Sequence, residues 1–222
     1  MILSHKHKFL FLRQPKTAGA SLQVALSSYC DIEDIITPLS EFVLKENPGV
    51  IDKGQNNVYG WESHTSYRDV ELQFDLSDYK TIVITRNPYE KMISRYYHFL
   101  HKNNISESEH SFKRLLQAMI KNAYKRGGYI CKDIDVLRDR YDKINYWIRF
   151  DSFKEDLTNL ELEFNLRGLY SKFKTLNLHR DYSNLKESSF EYYKKNDCLD
   201  LAKELKLIYH EEFERFGYQL NV

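Results

Sequence analysis

The chain has 222 residues, 33 of them Lys or Arg and 32 Asp or Glu, for a formal net charge of +1. A single domain of this size can bury a sizeable core, and with 42% hydrophobic and 29% charged residues it is not a disordered chain. Near-neutrality excludes a global basic field for a nucleic-acid backbone, so any anion site has to be built locally. The cysteines, Cys30, Cys131 and Cys198, are odd in number and far apart, with no CxxC and no paired His. That pattern speaks against a disulfide framework or a zinc site and for reduced thiols. Met1 to Lys8 is too short and polar for a secretory signal, and no apolar run approaches the roughly 20 residues of a membrane helix. The expectation is a cytoplasmic protein without an integral membrane segment, with a chain trimmed of an upstream anchor as the competing reading.

Along the chain, Phe9–Leu12 is a short apolar run of the kind found in buried strands, and Gly19–Ser28 carries Leu22, Ala25 and Leu26 at helical spacing. Residues 30–57 hold Pro38, Pro48, Gly49 and Gly54 and predict broken structure. Val58–Trp61 is predicted as a second strand, and Ser66 as the cap of a short helix through Leu72. Thr81–Thr85 (TIVIT) is the clearest strand, and Pro88 suits the first turn of a helix running to about His101. A further helix is predicted over 109–121, while 122–145 is polar and has no clear periodicity. Tyr146–Phe150 (YWIRF) reads as a strand, with Asp151 capping the helix after it. Asp197–Phe216 reads as one long amphipathic helix stopped by Gly217. Strands alternating with helices give an α/β domain with a mainly parallel sheet, taken as one domain over residues 1–222.

Two strand–turn–helix segments carry chemistry. In the first, Phe11 to Leu22 (FLRQPKTAGASL), a strand enters a turn and a helix begins near Gly19. Unfilled N–H groups at a helix N-terminus attract anions. Gly19 permits close approach of backbone to phosphate, Lys16 adds a mobile charge, and Thr17 and Ser21 add hydroxyls. The spelling is not the triphosphatase loop GxxxxGK[ST], because Lys16-Thr17 precedes the glycine, and a plain strand–turn–helix with a surface lysine is the bland alternative. In the second, Thr81 to Arg95, Arg86 stands where the strand ends, and ligands of open α/β sheets bind beyond that edge. Ser94 lies two helical turns on, roughly 9 Å along the axis from Pro88. The pair could grip one phosphate from two sides; an arginine paired with a nearby carboxylate is the alternative.

KTAGAS after a strand resembles the 5′-phosphosulfate loop of sulfotransferases that use 3′-phosphoadenosine 5′-phosphosulfate (PAPS), and TRNPYEKMISRYY resembles their 3′-phosphate segment. The carbohydrate branch, with its heparan 2-O-, chondroitin and HNK-1 enzymes and small bacterial members, is the most similar. WIRFDSFKEDL and IYHEEFERFGY resemble later segments of that branch. The resemblance recurs from about residue 9 to residue 218, while 30–57 and 100–145 match nothing recognisable. It implies a P-loop-like three-layer α/β fold with a mainly parallel central sheet flanked by helices. It also implies transfer of a sulfuryl group from PAPS to a hydroxyl acceptor of the carbohydrate class, by in-line displacement and without a metal.

By the same resemblance, Lys16 and the amides of Lys16, Thr17, Ala18, Gly19, Ala20, Ser21 and Leu22 hold the 5′-phosphosulfate end, and Arg86 and Ser94 hold the 3′-phosphate. Asn177 and Arg180, in the polar stretch LNLHRDY, are candidates for a loop that closes over the nucleotide. His64, in WESHTS, is the candidate base; an imidazole that titrates near neutrality suits proton removal. Glu62 is the alternative base, or the group that orients His64. His98 and His101 are expected on a helix face, and His5 and His7 lie near a terminus. The branch usually has Thr or Ser where Ala20 stands, so one hydroxyl contact is expected to be missing and donor affinity to be reduced. Most of the 17 tyrosines, including the pairs Tyr96-Tyr97 and Tyr192-Tyr193, are expected to pack in the fold. A P-loop-type small-molecule kinase, which would need Mg²⁺ and a matching acidic ligand, and a non-catalytic nucleotide-binding protein are the competing functions.

Overall fold

Phe9 to Leu12 alternates between two apolar environments, and around that strand the sheet is built. In the computed structural model, which describes residues 1–125, 136–137, 140–176 and 187–220, the described strands are β1 (Ile2–Ser4), β2 (Phe9–Leu12), β3 (Ile35–Ile36), β4 (Lys80–Thr85) and β5 (Ile144–Arg149). They form one sheet in the order β3-β1-β2-β4-β5. β2 pairs in parallel with β4, and β4 with β5, whereas β1 runs antiparallel to both β2 and β3. Four of the five described strands therefore point one way: a mainly parallel sheet in an α/β fold. Thr81 pairs with Ile144 and Ile82 with Tyr146, leaving Asn145 as a bulge whose Oδ1 accepts the Thr81 N–H at 2.8 Å.

The chain divides into two compact units, Met1–Thr85 with Asp135–Arg180, and Arg86–Ile134 with Asp181–Val222. In the first unit the pleat sorts side chains to two faces. Phe9, Phe11, Ile82, Ile84 and Ile148 pack beneath α1 (Gly19–Ser27) and two later helices, Phe153–Phe164 and Leu169–Thr175. Leu10, Leu12 and Val83 pack on the opposite face with Tyr67 and Val70 of a short helix, Tyr67–Glu71. Helices thus flank the sheet on both faces. A small helix at Glu41–Glu46 sets Val43 against Ala20 and Leu39. In the second unit, numbered in chain order, α4 (Pro88–Asn103) buries Tyr89, Met92, Ile93, Tyr96 and Leu100, a helical stripe. It joins one core with α5 (Phe112–Tyr124) and the helices Ser189–Lys195, Leu199–Ile208 and His210–Phe216. Tyr96, Tyr192, Tyr193 and Tyr209 are fully buried there, so the tyrosine pairs supply core volume.

Several elements follow the sequence closely. Ser66 caps its helix in a capping box with Asp69, Asn87 and Pro88 open α4, and Gly217 ends the last helix at φ 61°. Others depart from it. Val58–Trp61 is not a strand: Asn56 (φ 52°) and Gly60 (φ 65°) are left-handed, and Asn57 closes a turn by bonding the Trp61 N–H and carbonyl through its side chain. Asp151 is not the cap of Phe153–Phe164, which begins after Ser152 without a side-chain cap. The carboxylate at that junction is Asp156, which takes the Arg149 backbone N–H at 2.7 Å and its guanidinium at 2.9 Å. The long helix expected over Asp197–Phe216 breaks at Tyr209 (φ −104°, ψ 29°), whose ring stays buried with Lys91 Nζ 5.1 Å above it. The strands β1 and β3 lie in stretches that carried no strand signal.

The β1–β2 turn hangs on one carboxylate. Buried Asp34 accepts the backbone N–H groups of His5 (2.6 Å), Lys6 (3.2 Å) and Asp31 (2.9 Å), and the Ser4 hydroxyl (2.9 Å). Burial alone would raise its pKa, but these hydrogen bonds outweigh that and lower it. A folded pKa below the unfolded one (about 3.9) means that Asp34 stabilises fully above about pH 4 and stops doing so as pH falls through the folded value. Asp34→Asn is therefore expected to cost about 2–3 kcal/mol at pH 7. Denaturant melts at pH 7 and pH 3 should show the gap from wild type narrowing at the lower pH.

Candidate functional site

Sheet pairing of β2 ends at Leu12, opposite Val83, and α1 begins at Gly19. The six residues between make a strained turn. Lys16 and Ala18 both have φ 62°, a left-handed conformation that costs a residue with a Cβ about 1–2 kcal/mol. Such strain collects at ligand sites. The first helical bond joins Leu22 N–H to the Ala18 carbonyl at 3.3 Å. The amides of Gly19, Ala20 and Ser21 precede it and are the unfilled donors of the first turn. No side chain caps them. Left-handed residues beside a helix start turn successive N–H groups to one side, the arrangement that holds anions. Thr17 is buried and its hydroxyl donates to the Gln14 carbonyl at 2.9 Å, closing the turn. Ser21 is buried in the first helical turn. Leu22 sits in the sheet-side core, with its N–H already taken by Ala18.

One basic residue here was not singled out from the sequence. Arg13 is 5% exposed, and its guanidinium donates to Gln23 Oε1 at 2.9 Å. Burial pushes its pKa down to about 10, opposed by the charge of Asp52. Its Nε is buried without a hydrogen-bond partner, as are both ends of the Gln14 side chain, which is 2% exposed. Buried polar groups left this way mark a place where a ligand or water completes the site. The signal was available in the sequence as a charged residue directly after an apolar strand. Arg13 also explains Gly19: a Cβ there would lie 3.2 Å from Arg13 Cγ. The glycine therefore makes room for the arginine as well as for any phosphate. Ala20 has a similar packing reason. Its methyl is buried against Leu39 and Val43, so a threonine there would add volume to an apolar contact.

His64 follows the Asn57-closed turn rather than a strand. Its Nδ1 is 2.9 Å from the Arg13 carbonyl oxygen. A carbonyl can only accept, so Nδ1 carries the hydrogen, and in the neutral ring Nε2 holds the lone pair. The imidazole is thus oriented by the backbone of the turn that leads into α1. Glu62 does not serve that nitrogen; its side chain is exposed, and its carbonyl accepts from Thr65 N–H and hydroxyl at 3.2 and 2.8 Å. The structure brings Arg13, Gln14, Thr17, Gly19 and His64 together within the first unit.

In the second unit, Arg86 precedes α4 and is buried, with Nε 3.8 Å from Glu90. Ser94 is half-buried on the same helix, two turns further on. His98 and His101 also lie on α4. His5 and His7 have other partners, Tyr79 hydroxyl at 2.7 Å and the Tyr29 carbonyl at 3.1 Å. Asn177 and Arg180 lie outside the described residues. Among the described residues no group of three or more His, Cys, Asp or Glu is placed to hold a metal, and no helix is long and apolar enough to cross a membrane.

A sequence model of the Sulfotransferase family matches residues 1–219. No curated protein matches the chain. Among solved structures, the crystal structure of a sulfotransferase from Alicyclobacillus acidocaldarius is similar at 15% identity and a TM-score of 0.42, over 91% of this chain and 95% of that one.

The turn's packing yields a stability test. Ala18→Gly removes left-handed strain and is expected to stabilise by about 1 kcal/mol. Ala20→Thr overfills the Leu39–Val43 contact and is expected to destabilise by about 1–3 kcal/mol. Thermal melts of both variants check the signs.

Proposed function

Because the chain belongs to the sulfotransferase family, we propose that its donor is PAPS, that its acceptor is the hydroxyl of a carbohydrate, and that His64 is the base. The observation that carries this reading is the hydrogen bond from His64 Nδ1 to the Arg13 carbonyl. It sets a proton-accepting Nε2 beside a turn suited to a phosphosulfate. The match runs over both compact units, which supports reading residues 1–222 as one sulfotransferase domain.

The first unit's turn, with its unfilled amides and buried Arg13, supports reading it as the phosphosulfate end of the donor site. The 5′-phosphosulfate is assigned to the Gly19, Ala20 and Ser21 amides with Lys16 and Arg13, and the 3′-phosphate to Arg86 and Ser94. When bound, PAPS supplies an activated sulfuryl group whose link to a phosphate oxygen breaks as the acceptor oxygen bonds to sulfur. His64 Nε2 takes the acceptor's proton, and Lys16 and Arg13 stabilise the charge left on the phosphate oxygen. The retained hydrogen on Nδ1 keeps the ring in register with the turn throughout. Asn177 and Arg180 are proposed as further donor contacts. Cys30 and Cys198 are free thiols, in keeping with a cytoplasmic enzyme.

Donor choice is the first test. Thermal-shift titration without metal is expected to show stabilisation by 3′-phosphoadenosine 5′-phosphate (PAP) well beyond that by 5′-AMP. Charge-assisted hydrogen bonds to the extra phosphate contribute about 1.5–3 kcal/mol each. Arg86→Ala should weaken PAP strongly and AMP little. Lys16→Ala should lose both donor affinity and turnover. Equal losses for both nucleotides in Arg86→Ala, or stabilisation only by ATP with Mg²⁺, would overturn the donor assignment, the latter in favour of a kinase.

A further inference from the structure

The loop leading into His64 carries an aromatic surface that the donor chemistry does not use. Tyr59 stacks on Trp61, with ring centroids 4.6 Å apart and planes inclined at 21°. Phe74 meets both rings edge-on, at 5.5 and 6.0 Å. Yet Tyr59 remains 42% exposed and its neighbour Val58 86% exposed. An exposed aromatic on a mobile loop would be unremarkable, but this loop is tied down at many points. Asn57 Nδ2 donates to the Trp61 carbonyl at 2.8 Å, and its Oδ1 accepts the Trp61 N–H at 3.0 Å. Val58 N–H bonds the Asn56 carbonyl at 2.9 Å. Ser63 hydroxyl donates to the Pro38 carbonyl at 3.1 Å, and His64 is held by Arg13. Rigid rings on a pre-ordered backbone lose little entropy on binding and form a ready contact surface.

Charge narrows the occupant. From residue 54 to residue 67 the chain has no Lys or Arg, and its one acidic residue is Glu62, next to Trp61 and exposed. A polyanionic acceptor would find no cation on this loop and would meet a like charge. An uncharged sugar ring suits it: the apolar C–H face lies on the aromatics, while the rim hydroxyls stay hydrated or reach toward His64. We propose that the Tyr59–Trp61 stack is the acceptor platform and that it takes an uncharged saccharide. This rests on the sulfuryl-transfer reading of His64 given above, and it specifies the acceptor class for that site.

The experiment uses the full chain with Trp147→Phe, which leaves Trp61 as its only tryptophan and keeps an aromatic ring beside Tyr141. Trp61 emission is followed during titration with neutral disaccharides, with desulfated glycosaminoglycan of uronic acid type, and with a tyrosyl peptide. Neutral disaccharides are expected to give a saturable change. Tyr59→Ser should weaken that binding, and raise acceptor KM, about tenfold, the equivalent of 1.4 kcal/mol, with PAP affinity unchanged. Tyr59→Phe should retain both. No saturable change with any neutral saccharide, a change only with the polyanion or the peptide, or unaltered binding in Tyr59→Ser would overturn the proposal. A wild-type protein that transfers nothing from PAPS would instead overturn the donor reading, leaving the binding result to stand or fall alone.

Discussion

The hydrogen bond between His64 Nδ1 and the Arg13 carbonyl, 2.9 Å long, is the contact on which the proposed chemistry depends. Arg13 lies just past the last paired residue of β2, where its carbonyl is released from the sheet and available to accept. By taking it, His64 ties the loop over residues 56–65 to the turn that starts α1. The same bond decides which ring nitrogen holds the proton. A tautomer and a loop position thus follow from one backbone oxygen, and under the role proposed for His64 so does a direction for proton transfer. A free histidine at the same place would have none of them.

Around that contact the turn is held by packing as much as by ligand chemistry. Gly19 lets Arg13 lie against α1, Ala20 fills the space beside Leu39 and Val43, and Thr17 spends its hydrogen on the Gln14 carbonyl. Two left-handed residues, Lys16 and Ala18, are the strained part. Their strain is tolerated because α1 is buried on nearly every side, so the surrounding core fixes the turn whether or not a ligand is present. A turn fixed in this way would not need to reorganise to meet the proposed donor, and much of the catalytic advantage of fixed dipoles lies there.

Much of this was legible in the sequence, and the reasons differ by element. TIVIT and FLFL read as buried strands because β-branched and aromatic residues in short runs have few other uses. Ser66, Pro88 and Gly217 marked helix ends because capping is local chemistry. The strands β1 and β3 were hidden because three residues and two residues carry too little pattern to stand out. Val58–Trp61 looked extended by composition, but Asn57 and Gly60 belong to turn chemistry and decided the matter. The break at Tyr209 depends on where a buried ring packs, which periodicity alone does not encode. Of the proposed site, the Lys16–Ser21 turn and Arg86 stand out in the sequence as motifs. Arg13 does not stand out in the sequence, because what sets it apart is its burial and its carbonyl contact, neither of which a residue name reveals.

Single-turnover sulfuryl transfer by folded His64→Ala, with saturating PAPS and the best hydroxyl acceptor of the wild type, tests the central claim most directly. A positioned base contributes about 10²–10⁴-fold to rate. The expected result is a loss of that order, with PAP affinity nearly unchanged. Transfer at close to the wild-type rate would remove His64 from the mechanism and turn attention to Glu62.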